Sequence, residues 1–181
     1  MFTFRQFAVD DSMTAMKVGT DGVLLGAWAA GGTRILDIGT GSGLIALMMA
    51  QRFPQALVTA IDIDADACRQ AVANAAASPF GSRITVVNAS LQDFAATAMP
   101  QSFDAIVSNP PYFQNSLLSP DARRTAARHT ASLSFRDLMG GVRRLLADGG
   151  VISVIGPADA ESDMEGEAII SGMSVAATVA V

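Results

Sequence analysis

The run "RILDIGTGSGLIALMMAQRF", residues 34–53, constrains the fold of this chain more than any other stretch. "RILDIG" (34–39) is a short buried-strand pattern that ends at glycine. "SGLIALMMAQRF" (42–53) reads as a helix, apolar on most sides. Between them Gly39, Gly41 and Gly43 occupy alternate positions, which lets the backbone turn tightly and come close to a ligand. The spacing is G-x-G-x-G rather than the G-x-G-x-x-G of dinucleotide sites, and position 44 is Leu.

The same alternation continues. "ALVTAIDID" (56–64) is β-rich and ends in acids, and "DACRQAVANAAA" (66–77) is an Ala-rich helix. "RITVVNA" (83–89) and "FDAIVSN" (103–109) read as further strands. Phe135, Leu138, Met139, Val142, Leu145 and Leu146 place one apolar face on a helix over 134–147, with Ser134 and Asp137 as a capping pair and "DGG" (148–150) as its end. "VISVIG" (151–156) is a fifth strand. The order implies an α/β fold with a mostly parallel, doubly wound sheet, and ligands at the carboxyl ends of its strands.

The chain has 181 residues, 50% of them apolar and 16% charged, a composition suited to one globular domain with a sizeable core. A single domain over 1–181 is expected, with an N-terminal segment (1–33), a core (34–156) and a C-terminal part (157–181). Apolar runs are short and broken by glycine, so no membrane span is expected, and the N-terminus lacks the order of a signal peptide. The one cysteine, Cys68, excludes an internal disulfide framework and a multi-cysteine metal site. These features suggest a cytoplasmic protein without a metal. The net charge of −5 argues against nucleic-acid binding as the overall electrostatic character, although a local basic segment can still serve it.

Two acids belong to the glycine loop's surroundings. Asp37 lies at the end of the first sheet strand, where it could accept from a ligand ammonium or order the loop. Asp62 ends the next strand, where an acid can take both hydroxyls of a ribose, and Ile63 follows it. Asp64 suits a helix N-cap. A second punctuation is "SNPPY" (108–112). Adjacent prolines cannot continue a sheet ladder, so Pro110 and Pro111 stop the strand between an amide, Asn109, and an aromatic, Tyr112.

"DIGTGSG" with "AIDID" resembles the class I S-adenosylmethionine-dependent methyltransferases, and "SNPPY" resembles their amino-methylating branch. Together with "KVGTDGVLLGAW" (17–28) and "ARHT", these motifs resemble the bacterial tRNA1(Val) (adenine-N6)-methyltransferase family. The resemblance implies a Rossmann-like fold, S-adenosylmethionine as methyl donor, and an adenosine just 3′ of the anticodon as acceptor. It implies that the Asn109 side chain and the Pro110 carbonyl accept from the reacting amine, with Pro111 and Tyr112 completing the loop and Tyr112 stacking on the base. Lys17, Gly19, Thr20 and Asp21 would close over the methionine end of the cofactor. Asp37, Gly39, Gly41, Gly43, Asp62 and Ile63 would hold the rest.

Where the family often carries an acid for the cofactor adenine, this chain has Ser90, so that contact is expected to weaken or to move to the Leu91 backbone or Asp93. Arg123, Arg124, Arg128 and His129 cluster after the loop and suit RNA phosphates of the anticodon stem-loop. Such folds usually finish with a reversed pair of strands. "GMSVAATVAV" (172–181) is expected to supply one, leaving the other missing and a sheet edge open to pairing with a second chain. Competing readings are glutamine methylation in a protein, guanine-N2 methylation in ribosomal RNA, and a non-catalytic RNA-binding protein on the same fold.

Overall fold

The computed structural model describes residues 1–110 and 133–181. A short antiparallel ribbon, β1 (Phe2–Thr3) and β2 (Ala8–Val9), precedes helix α1 (Thr20–Trp28). The core follows as β3 (Arg34–Ile38), α2 (Leu44–Arg52), β4 (Leu57–Asp62), α3 (Ala65–Ala76), β5 (Ile84–Asn88), α4 (Leu91–Thr97) and β6 (Phe103–Ser108). Beyond the undescribed stretch come α5 (Phe135–Leu145), β7 (Leu146–Val154) and α6 (Glu161–Ile170).

The five-stranded sheet has the order β5-β4-β3-β6-β7, and every pairing is parallel. Side chains alternate across it. Ile35, Val58, Ala60, Ala105 and Val107 face a core with Leu25 of α1 and Leu44–Ala50 of α2. Leu36, Ile38, Ile61 and Ile106 face the opposite core with Leu91, Leu138, Val142 and Leu145. Burial on both faces is why these strands read as nearly continuous apolar runs. Each fully buried Leu or Ile contributes about 1.5–3 kcal/mol relative to exposure.

Helix α5 begins where the sequence places it. The Asp137 amide donates to Ser134 Oγ at 3.1 Å, and Ser134 Oγ donates to Asp137 Oδ2 at 2.7 Å. It ends two residues early, because Leu146 already pairs with Phe103 as the first residue of β7. The "DGG" run is therefore inside the strand. The register slips between Phe103 and Ala105, and the extra residues form a bulge that needs glycine. Gly149 has φ +74, and a Cβ on Gly150 would lie 2.8 Å from Leu146 Cδ1.

The expected strand over 172–181 does not form: residues 173–181 lie outside any helix or strand. The apolar segment has strand-forming composition, but a strand requires a neighbour's ladder. Residues 173–181 do not take that place beside β7, whose only partner among the described residues is β6, so its outer edge stays unpaired there. No helix among those residues is long and apolar enough to cross a membrane.

Candidate functional site

The sheet changes its winding direction between β3 and β6. From β3 the chain moves outward to β4 and β5; from β6 it moves the other way to β7. Ile38 aligns with Ile61 on one side and with Ser108 on the other. The glycine loop after Ile38 and Asn109 after Ser108 therefore leave adjacent strand ends, at the crevice where open α/β sheets bind ligands. Ser108 is locked there: its Oγ donates to the Ile38 carbonyl at 3.0 Å, and its carbonyl accepts from the Ile155 amide at 3.3 Å. Asn109 is half-buried and Pro110 buried.

The glycine loop is tied to the end of β4. The amides of Gly39 and Thr40 donate to the Ile61 carbonyl at 2.9 and 3.0 Å, and the Gly41 amide donates to Asp62 Oδ2 at 2.8 Å. The Gly43 amide donates to the Thr40 carbonyl at 2.9 Å. Four loop amides are thus consumed inside the protein, whereas a pyrophosphate cradle needs such donors free. What the loop offers is space. Gly39 (φ +72) and Gly41 (φ +55) adopt left-handed conformations, and a Cβ on either would meet nothing within 4 Å.

Asp37 is fully buried on the α2 side of the sheet. Its Oδ2 accepts from Thr40 Oγ1 at 2.6 Å and from the Ala46 amide at 3.1 Å. Helix α2 has Gly43 as its N-cap and so no capping side chain of its own; Asp37 supplies the missing acceptor from the strand. Of the two roles the sequence allows, the contacts support ordering of the loop. Burial, with a smaller contribution from the Asp62 charge, pushes the Asp37 carboxyl up to about 7, against the Thr40 and Ala46 hydrogen bonds. Its Oδ1 is buried without a hydrogen-bond partner. Asp62 is half-buried, also raised by burial, and receives the amides of Gly41 and Asp64. Ile63 beside it is 53% exposed. Asp64 caps α3 by accepting from the Asp66 amide at 2.8 Å.

The N-terminal segment reaches the same crevice through α1. A Cβ on Gly22 would stand 4.0 Å from Asn109 Nδ2 and 3.0 Å from Leu44 Cδ2. Gly19 is the N-cap of α1, and Thr20 and Asp21 form its exposed first turn. Lys17 is turned into its own loop: Nζ donates to the carbonyls of Asp11 at 2.6 Å and Thr14 at 3.0 Å.

Ser90, expected near the cofactor adenine, stands at the start of α4. It caps α4, accepting from the Asp93 amide at 3.0 Å and donating to Asp93 Oδ2 at 2.7 Å. The Leu91 side chain is buried in the core with Leu138 and Val142. Pro111, Tyr112, Arg123, Arg124, Arg128 and His129 lie outside the described residues. A groove of about 690 Å³ between α4, α5 and α6 takes none of its walls from the glycine loop, Asp62 or Asn109. Cys68 is buried on α3.

Two buried polar residues were not singled out by sequence reasoning. Gln70 and Asn74, on α3, are 4% and 5% exposed and hydrogen-bond the N-terminal segment. Their signal was available: two amides four residues apart in an Ala-rich helix mark a polar stripe on one face.

The methyltransferase small domain family matches residues 12–156. The chain is 53% identical over 161 residues to a Bacteroides thetaiotaomicron protein named tRNA1(Val) (adenine(37)-N6)-methyltransferase, covering 87% of this chain and 67% of that one. A protein of the same name from Aeromonas hydrophila subsp. hydrophila is 51% identical over 159 residues, covering 86% of this chain and 66% of that one. The chain thus spans about two-thirds of the length of these relatives. Among solved structures, TrmN from Thermus thermophilus is 29% identical with a TM-score of 0.52, over 68% of this chain and 33% of that one. A structure titled a predicted O-methyltransferase from Agrobacterium tumefaciens shares the fold with a TM-score of 0.61 at 23% identity, over 82% of this chain and 66% of that one.

Proposed function

The chain belongs to the methyltransferase small domain family and, within it, to the tRNA1(Val) (adenine(37)-N6)-methyltransferases, and from that premise we propose that it methylates N6 of adenosine 37 in tRNA with S-adenosylmethionine as donor. The observation that carries the reading is the placement of Asn109 and the glycine loop on adjacent strand ends, at the point where the sheet changes direction.

The residues suit that cofactor. The open, left-handed Gly39 and Gly41 make a cradle that a Cβ would fill. Half-buried Asp62 keeps lone pairs for the ribose hydroxyls. S-adenosylmethionine supplies a methyl group made electrophilic by its sulfonium. An exocyclic adenine amine is a poor nucleophile, because its lone pair is delocalised into the ring. Acceptors on its two hydrogens, from Asn109 Oδ1 and the Pro110 carbonyl, hold the nitrogen so that its lone pair can turn toward the methyl carbon. The new N–C bond forms as the S–C bond breaks, and the nitrogen then releases a proton to water. Tyr112 is assigned to stacking on the extruded base, worth about 1–3 kcal/mol. Arg123, Arg124, Arg128 and His129 are assigned to the phosphates of the anticodon stem-loop.

Calorimetric titration with S-adenosylmethionine tests the cofactor half: saturable binding is expected, and absence of binding would sink the enzyme reading in favour of a non-catalytic protein on this fold.

A further inference from the structure

Asn74 spends its whole amide on two segments that are far apart in sequence. Its Nδ2 donates to the Asp10 carbonyl at 2.7 Å and to the Ser42 carbonyl at 2.8 Å, and its Oδ1 accepts from the Asp10 amide at 3.0 Å. Asp10 opens the N-terminal loop; Ser42 lies inside the glycine loop. We propose that Asn74 is a positioning residue that couples residues 10–21 to the glycine loop, so that cofactor binding at the loop also steadies the N-terminal segment. This rests on the cofactor reading above.

Three observations carry it. First, α3 contacts both segments with one face. A Cβ on Gly43 would lie 3.2 Å from Ala71 Cβ, and Gln70, one turn before Asn74, accepts from Ser12 Oγ and the Met13 amide at 3.3 Å each. Second, the loop it holds is closed on itself by its own hydrogen bonds. Asp10 Oδ1 accepts from the Ser12 amide at 3.0 Å, Asp11 Oδ2 accepts from the Val18 amide at 3.0 Å, and Lys17 clasps the Asp11 carbonyl. Third, that segment runs straight into α1, where a Cβ on Gly22 would stand 4.0 Å from Asn109 Nδ2. Displacement of the glycine loop is thereby felt through Ser42, Asn74 and Asp10 at the amide proposed to hold the substrate. Lys17, in this arrangement, acts by shaping the loop.

The test is Asn74→Asp, which keeps the shape but sets an acceptor against two carbonyls. Hydrogen exchange over residues 10–21 is measured with and without S-adenosylhomocysteine, and the dissociation constant for that ligand is measured by calorimetry. The wild type is expected to slow its exchange on binding. The variant is expected to lose that slowing and to bind about tenfold more weakly, with kcat at saturating cofactor largely retained. A variant that keeps the ligand-induced slowing and an affinity within about twofold of wild type overturns the proposal. Failure of the wild type to bind overturns the functional reading instead. Should Asn74→Asp not fold, Asn74→Ala removes the three bonds without setting an acceptor against the carbonyls, and the same two readouts decide.

Discussion

The backbone amide of Gly41 donates to Asp62 Oδ2 at 2.8 Å, closing the glycine loop onto the end of the neighbouring strand. One carboxylate thus both shapes the loop and borders the space above it. Asp62→Ala is expected to weaken S-adenosylhomocysteine binding by at least about tenfold, since the loop loses its anchor and the site an acceptor. Calorimetry checks this, and an unchanged affinity would remove Asp62 from the site.

The glycines themselves separate strain from packing. A Cβ at Gly39 or Gly41 meets open space, so Gly41→Ala should cost stability only through its left-handed backbone, about 1–2 kcal/mol. It should cost cofactor affinity beyond that, because the methyl group enters the cradle. Chemical denaturation and ligand titration on the same variant distinguish the two effects.

Asp37 gives the fold a pH dependence of definite sign. Its carboxyl is raised from 3.8 to about 7, chiefly by burial. Between those values the folded chain retains a proton that the unfolded chain has released. The contribution to stability is therefore full at low pH and lost as pH rises toward and through 7, with a slope of at most about 1.4 kcal/mol per pH unit. The difference in thermal stability between wild type and Asp37→Asn, followed from pH 4 to 8, should show this slope; a pH-independent difference would contradict it.

Ser90 separates a cap from a cofactor contact. Its hydroxyl both accepts from and donates to Asp93, so Ser90→Ala should destabilise the fold by about 1 kcal/mol. Affinity for S-adenosylhomocysteine should not change. A loss of affinity without loss of stability would contradict this and place Ser90 against the cofactor.

Local signals in this sequence were sufficient where the physics is local. The glycine triplet of 39–43 and the short, nearly continuous apolar runs of β3, β4 and β6 define strands and loop without knowledge of neighbours. The strand end at Asn109 follows from two prolines alone. Non-local pairings were not legible. Asn74 bonds residues 32 and 64 positions away, which no periodicity records. Asp37 as the remote cap of α2 depends on how a strand and a helix meet. Residues 172–181 have the composition of a strand but not the ladder that makes one. Asp148–Gly150 look like a helix terminator because a glycine-permitted bulge and a helix end use the same residues. The short α4 carries one strong local mark, Ser90 with Asp93, a pair that caps a helix and sits where a cofactor contact is also expected.

Methyl transfer to RNA tests the central claim most directly. Labelled S-adenosylmethionine is incubated with total tRNA from cells lacking the enzyme, and the modified nucleoside and its position are then determined. Wild type should place label in N6-methyladenosine at position 37, and Asn109→Ala should place none while binding S-adenosylhomocysteine as well as wild type does. Label found in protein or in guanine, or undiminished transfer by Asn109→Ala, would contradict it.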